Sequence, residues 1–296
     1  MRKTAVVTAG TAGIGWETAL GLAAAGHSVT VVGRNADRGA RAVERINAAH
    51  PDHPARFLPA DLASLDEVRA LADRIASDHA ASGDPLTVLV NNVGAMFPDR
   101  RTLGGVEASF VVNHLSPYLL TELLLPTLTA GAPSRIVNVT SGAVGLAKRV
   151  FDAVEPPGGY YGFHWYGRAK LANLAYTLDL AARLDGTGVS VFAADPGGAA
   201  TDMTDGTLTD PKIVSPALRL LWPLVRRRFE RSTSGPASVA ARPSIAAATD
   251  RALTGRTGLL IGAGARPEPP IRTATDPRVA DAVRRLSERH APLATT

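Results

Sequence analysis

The 296-residue chain, 45% hydrophobic and 20% charged, has the composition of a globular protein with a sizeable core. It contains no cysteine, which excludes disulfides, thiolate metal sites and cysteine nucleophiles and leaves the redox compartment undetermined. The formal net charge is +5, mostly from arginines spread along the chain. Their one cluster, Arg226-Arg227-Arg228, reads as a solvated helix face, since nucleic-acid binding needs clustered charge with aromatics or a known module. The histidines are scattered, and His50 and His53 flank prolines in a loop, so no metal site is expected. Neither a signal peptide nor a membrane span is evident, and a cytoplasmic protein is the expectation.

The first element is the apolar run Ala5-Val6-Val7-Thr8. The turn Ala9-Gly10-Thr11-Ala12-Gly13-Ile14-Gly15 follows, then an amphipathic segment at 16–25 and a second apolar run at 29–32. This is a strand–turn–helix–strand unit of about thirty residues. Glycines there let the backbone approach a pyrophosphate at a helix N-terminus, where free N–H groups and the helix dipole favour anions. Arg34 follows the second run directly. An acidic residue at that place would bond the ribose 2′-hydroxyl of NAD, whereas arginine accommodates the 2′-phosphate of NADP. Arg34 therefore favours NADP over NAD, with Arg38 as a second charge; the alternative is a solvent-facing loop arginine.

Further β-branched runs at 56–58, 88–90, 136–139, 189–193 and 259–261 alternate with helical patterns at 37–49, 65–79, 106–128 and 166–184. The alternation predicts an α/β fold, a Rossmann-type doubly wound parallel sheet with helices on both faces. With no linker or shift of composition, one domain is expected over 1–290, with a flexible tail at 291–296. Ligands of such sheets bind beyond the carboxyl ends of the strands.

Within 166–184, Tyr166 and Lys170 stand at i and i+4, on one face of a helix. An ammonium beside a phenol favours the phenolate and lowers the tyrosine pKa towards neutrality, where it can serve as a general acid or base. Tyr160 and Tyr161 are nearby, but only Tyr166 has a lysine four residues on.

These residues resemble the short-chain dehydrogenase/reductase family over nearly the whole chain. The turn TAGTAGIG is similar to that family's TGxxxGIG, with Ala9 where the first glycine is usual. Ala9 is costly if the position needs a positive φ, and Gly10 is expected to absorb the bend. The resemblance assigns cofactor contacts to Gly10, Thr11, Gly13, Ile14 and Gly15 in the turn, and to the adenine-contacting pair Asp61-Leu62. It adds Asn92 and Gly94 of Asn91-Asn92-Val93-Gly94, and Pro196, Gly197, Ala199 and Thr201 of the segment that holds the nicotinamide amide. Asn113, Ser141, Tyr166 and Lys170 fall where the family places its catalytic residues, with Thr140 a competitor for the serine's role. The implied roles are a substrate-oxygen hydrogen bond for Ser141 and proton transfer for Tyr166. Lys170 would lower the Tyr166 pKa and hold the nicotinamide ribose, and Asn113 would anchor a water connecting Lys170 to solvent. NHLSPYLLTELLLP and YGRAKLANLAYTLDLAARL resemble the retinol-dehydrogenase-like branch in particular. The family likeness implies a carbonyl–alcohol oxidoreductase that forms a homodimer or homotetramer. A catalytically idle dinucleotide sensor or scaffold and a C=C reductase on the same fold are the rival readings.

Residues 142–165 and 203–234 are less patterned and rich in apolar and aromatic side chains, including Phe151, Trp165, Trp222 and Phe229. They are expected to form a substrate lid, which suits a lipophilic or aromatic small molecule. For the second segment a subunit contact or a membrane-surface helix is the alternative. Asp195 is either a turn residue or reaches the pocket, and His114 and His164 read as packing or surface residues.

Overall fold

A computed structural model describes residues 1–197, 210–224, 227 and 235–294. The strands in chain order are β1 (Thr4–Thr8), β2 (Ser28–Gly33), β3 (Arg56–Pro59), β4 (Leu86–Asn91), β5 (Thr102–Leu103), β6 (Val106–Glu107), β7 (Ser134–Val139), β8 (Val189–Ala194), β9 (Leu259–Ile261) and β10 (Pro267–Glu268). Eight of them make one sheet in the order β10-β9-β8-β7-β4-β1-β2-β3, while β5 and β6 form a separate antiparallel pair. Every pairing in the large sheet is parallel except the terminal β10–β9 pair. The central strands are Val/Ile/Leu-rich because both of their faces are covered.

On one face, α1 (Gly13–Ala24), α2 (Ala36–Ala49) and the helix Arg242–Thr249 bury Trp16, Leu22, Ile46 and Ala247 against Val7, Val31 and Val137. On the other, α3 (Leu65–Ser82), α5 (Ser116–Ala130), α6 (Gly162–Arg183) and the helix Pro277–His290 bury Ile75, Leu119, Leu174 and Leu286. The strand order reverses between β1 and β4, so their carboxyl ends open a crevice at the switch point.

The helix expected over 106–128 is broken at its start. Val106 and Glu107 pair in β6, and the Glu107 carboxylate accepts from the Ser109 and Phe110 N–H groups at 2.8 and 2.9 Å, capping the short α4 (Ala108–Phe110). Val111–Leu115 is then one π-helical stretch before α5 begins. Such a wide turn re-aims the side chains it carries and is frequent at functional sites; here it carries Asn113. The tail beyond residue 290 is tied down as far as Leu293, since Arg69 donates to the carbonyl oxygens of Pro292 and Leu293. Among the described residues no helix is long and apolar enough to cross a membrane. Nor does any group of three or more His, Asp or Glu among them fit a metal.

Candidate active site

The carboxyl ends of β1, β2, β4 and β7 surround a cavity of about 620 Å³. One wall is the glycine turn. Gly13 has φ +54°, and a Cβ on Gly15 would lie 2.2 Å from the Ala9 carbonyl oxygen and 2.4 Å from Asn92 Nδ2. Both positions call for glycine, Gly13 for its positive φ and Gly15 for its close packing against Ala9 and Asn92. The N-terminus of α1 has no side-chain cap from Ala12, leaving its first N–H groups free for an anion. This cradle fits a pyrophosphate. The bend falls on Ala9, whose φ is +49°, a left-handed value unusual for alanine. Gly10 does not absorb it. Its place is fixed by close packing instead, because a Cβ there would sit 2.9 Å from the Val7 carbonyl oxygen.

Asn92, just past β4, braces this wall. Its N–H donates to Thr8 Oγ1 at 2.9 Å, and its Nδ2 donates to the Thr8 and Ala9 carbonyls at 3.1 and 3.4 Å. At the far end Arg34 is 75% exposed, with Nε 4.0 Å from Asp61 Oδ1. Arg34, Arg38, Asp61 and Leu62 line the same cavity, as do Thr11, Ile14, Gly94 and Pro196. The donors near Arg34 suit a phosphate, and the apolar Leu62 suits a flat ring.

Tyr166 lies in the second turn of α6, 5% exposed, packed among Ala143, Phe163, Ile213 and Val214. Its phenol faces Ser141, which stands just past β7 and whose Oγ accepts from the Ala143 N–H at 3.2 Å. Burial pushes the phenol up to about 12; the Ser141 hydroxyl opposes this and the Asp195 charge adds to it. Lys170 is 2% exposed, and its Nζ donates to the carbonyl oxygens of Val93 and Val139 at 3.0 and 2.9 Å. Burial lowers Lys170 to about 7. The expectation that the lysine tunes the tyrosine to neutrality is therefore corrected. The pair shares a helix face, but desolvation dominates both groups and moves them in opposite directions.

Asn113 is fully buried, and its side chain is committed to protein partners. Nδ2 donates to the Ala95 and Ser109 carbonyls at 2.7 and 2.8 Å, and Oδ1 accepts from the Ala95 N–H at 3.0 Å. It thereby fixes the chain just past Gly94, on the cavity wall. Thr140 also lines the cavity, and its buried Oγ1 has no hydrogen-bond partner among the described residues. Gly197 adopts φ +73°. Ala199 and Thr201 lie outside the described residues.

Two charged residues that sequence reasoning passed over organise the surroundings. Arg168, between Tyr166 and Lys170 on α6, is fully buried and donates to the carbonyls of Val150, Ala153 and Val154 at 2.8, 2.7 and 2.9 Å. Its guanidinium lies over the Phe110 and Phe151 rings. Glu107 is also fully buried, and Tyr160 donates to it at 3.3 Å and to the Phe97 carbonyl at 2.9 Å. A charged residue inside an apolar helix pattern was the available signal for Arg168. Phe151 packs into the main core, whereas Ile213 and Val214 of the second segment are fully buried against Tyr166. His164 links the two segments, with Nδ1 against the Leu146 carbonyl at 2.6 Å and Nε2 accepting from the Ser215 N–H at 3.2 Å. His114 is buried, with Nε2 2.7 Å from Ser287 Oγ on the last helix.

The short chain dehydrogenase family model matches residues 3–212, and the chain belongs to that family. It is 36% identical over 234 residues to retinol dehydrogenase 12 of Mus musculus, covering 79% of this chain and 70% of that protein. It is 39% identical over 197 residues to dehydrogenase/reductase SDR family member 13 of Bos taurus, covering 66% of this chain and 51% of that one. Among solved structures, an uncharacterized protein from Mycobacterium Paratuberculosis superposes with TM-score 0.72 at 26% identity, covering 98% and 93% of the two chains. A protein from Beutenbergia cavernae, described as an NAD(P) dependent gluconate 5-dehydrogenase with bound NADP, gives TM-score 0.67 at 26% identity over 88% and 94%. The chain is a short-chain dehydrogenase/reductase of the retinol-dehydrogenase-like branch, a family of oxidoreductases that use a nicotinamide dinucleotide.

Proposed function

We propose that this protein interconverts a carbonyl and an alcohol on a lipophilic or aromatic small molecule with NADP(H), using Tyr166 as general acid/base. The observation that carries the reading is Tyr166, facing Ser141, and the buried Lys170 together in the wall of a cavity whose far end carries Arg34 and Arg38. The dinucleotide, when bound, supplies or accepts the hydride. The glycine turn and α1 N-terminus would hold its pyrophosphate, Arg34 and Arg38 its 2′-phosphate, and Asp61 and Leu62 its adenine. Pro196, Gly197, Ala199 and Thr201 would hold its nicotinamide end.

In the reductive direction Ser141 and Tyr166 hydrogen-bond the substrate oxygen, and Tyr166 Oη releases its proton to that oxygen. Burial keeps the phenol in its protonated form at neutral pH, the form a proton donor needs. Lys170, lowered to about 7, exchanges a proton readily near neutrality and suits the relay that restores Tyr166. Asn113 serves that relay by fixing the wall at Ala95. The apolar Ile213 and Val214 over Tyr166 support a lipophilic substrate and a lid role for the second segment. A cytoplasmic homodimer or homotetramer belongs to the same reading, on family likeness.

Cofactor oxidation is the test, followed with NADPH and with NADH against lipophilic and aromatic aldehydes and ketones. Turnover that prefers NADPH is expected. Binding of either dinucleotide with no turnover of any carbonyl would favour the sensor reading.

A further inference from the structure

We propose that Arg101 is a further anion-binding residue of the cavity: the β5–β6 hairpin sets it in the wall, where its guanidinium meets a phosphate of the bound dinucleotide. The inference rests on the reading of this cavity as a dinucleotide site and adds a contact from outside the parallel sheet. Among the described residues four cationic side chains line the cavity, Arg34, Arg38, Arg101 and Lys170, against the single carboxylate of Asp61. That balance suits a polyanion. Arg34, Arg38 and Lys170 already have roles in the proposed site, which leaves Arg101. The adjacent Arg100 is paired with Glu155 and is not part of the wall. Arg101 has no acidic partner among the described residues.

The hairpin fixes Arg101 before any ligand arrives. Its two-residue turn is Gly104-Gly105, with φ +55° and +81°, the pair of left-handed residues that a tight hairpin needs. Thr102 and Leu103 pair with Glu107 and Val106. The Arg101 carbonyl accepts from the Ala108 N–H at 2.9 Å, which anchors the residue at the base of the hairpin. Glu107 secures that base, since its buried carboxylate accepts from the Ser109 and Phe110 N–H groups. The guanidinium lies over the Phe97 ring, 5.8 Å from its centroid. Phe97 is held in turn by Tyr160, which donates to its carbonyl at 2.9 Å, and it lines the same cavity. Contact with an aromatic ring uses none of the guanidinium N–H donors, so the planar fork that a phosphate accepts stays available. With the backbone anchored and the side chain resting on a ring, little ordering is left for binding to impose.

The test is a binding titration and needs no turnover. NADPH and NADH are titrated into the wild type, Arg101→Gln, Arg101→Ala and Arg101→Lys, at low and at moderate salt. The two neutral variants should bind about 10-fold more weakly, the low end for a hydrogen bond to a charged group. Arg101→Lys keeps the charge without the fork and should recover part of the loss. The affinity of the neutral variants should also fall less steeply as salt rises. A loss for both dinucleotides assigns the contact to the pyrophosphate, and a loss for NADPH alone assigns it to the 2′-phosphate. Arg100→Ala should leave binding unchanged, and thermal unfolding without ligand should be the same for the Arg101 variants and the wild type. Neutral variants that bind both dinucleotides as tightly as the wild type overturn the proposal. So does an affinity loss that comes with lower unliganded stability and is not recovered by lysine. A wild type that binds neither dinucleotide takes down the reading of the cavity and this inference together. A loss of binding in a protein that reduces no carbonyl leaves this inference standing and unseats only the reductase.

Discussion

Lys170 follows Tyr166 by one helical turn, and its ammonium donates to the carbonyl oxygens of Val93 and Val139, tying α6 to the ends of β4 and β7. Two strand ends and a helix are joined at one buried amine. Folding lowers that amine from 10.5 to about 7. Between those values the unfolded chain binds more protons than the folded one, so this group makes stability rise with pH across the window. Lys170→Met should flatten the rise. Urea unfolding of both proteins between pH 7 and 10 checks it, and parallel slopes would contradict the burial account.

Ala9 is held at φ +49° in the glycine turn. A left-handed alanine is strained by about 1–2 kcal/mol, part of which glycine returns as unfolded-state entropy. Ala9→Gly should therefore stabilise the protein, by up to about 1 kcal/mol, and leave dinucleotide affinity at least as strong. Thermal unfolding and a binding titration read both, and a loss of stability would argue against strain at this position.

Arg168 supplies three carbonyls of the 150–154 stretch from one planar group that lies over the Phe110 and Phe151 rings. Lysine keeps the charge but not the fork. Arg168→Lys should cost roughly 2–4 kcal/mol, because buried acceptors are left unpaired. Equilibrium unfolding measures this directly, and a change within experimental error would mean the loop holds itself.

Arg34 is largely exposed, so its removal should leave the fold intact. If it meets a 2′-phosphate, Arg34→Ala loses a charge-assisted bond and weakens NADPH binding by about 10- to 100-fold, with NADH binding unchanged. Equal losses for the two dinucleotides would remove the basis for NADP preference.

The sheet and its order of helices were legible because the strands are β-branched and buried on both faces, so Val29–Val32 or Ile136–Val139 could hardly be anything else. Arg34 was placed by its position after a strand, Tyr166 and Lys170 by their helical register, and Asn92 and Ser141 by family resemblance; of these, Arg34, Asn92, Tyr166 and Lys170 line one cavity. What failed was whatever depends on tertiary burial. The i,i+4 spacing placed Lys170 beside Tyr166, but only the fold shows Lys170 reaching the Val93 and Val139 carbonyls and desolvation driving the two groups apart. The break in 106–128 escaped because Val106–Leu115 has helical apolarity, while the pairing of β6 with β5 is a long-range choice. Asp195 was left open between two roles because the strand it bonds, at Ile261, is far away in sequence.

The central claim is that Tyr166 carries the proton, and the most direct measurement is single-turnover NADPH oxidation by wild type and Tyr166→Phe with one accepted aldehyde. The phenylalanine ring keeps the packing against Ile213 and Val214 and removes only the hydroxyl. A fall in rate of about 10²–10⁴-fold with an unchanged NADPH dissociation constant is the predicted result. A variant that turns over as fast as the wild type would contradict it.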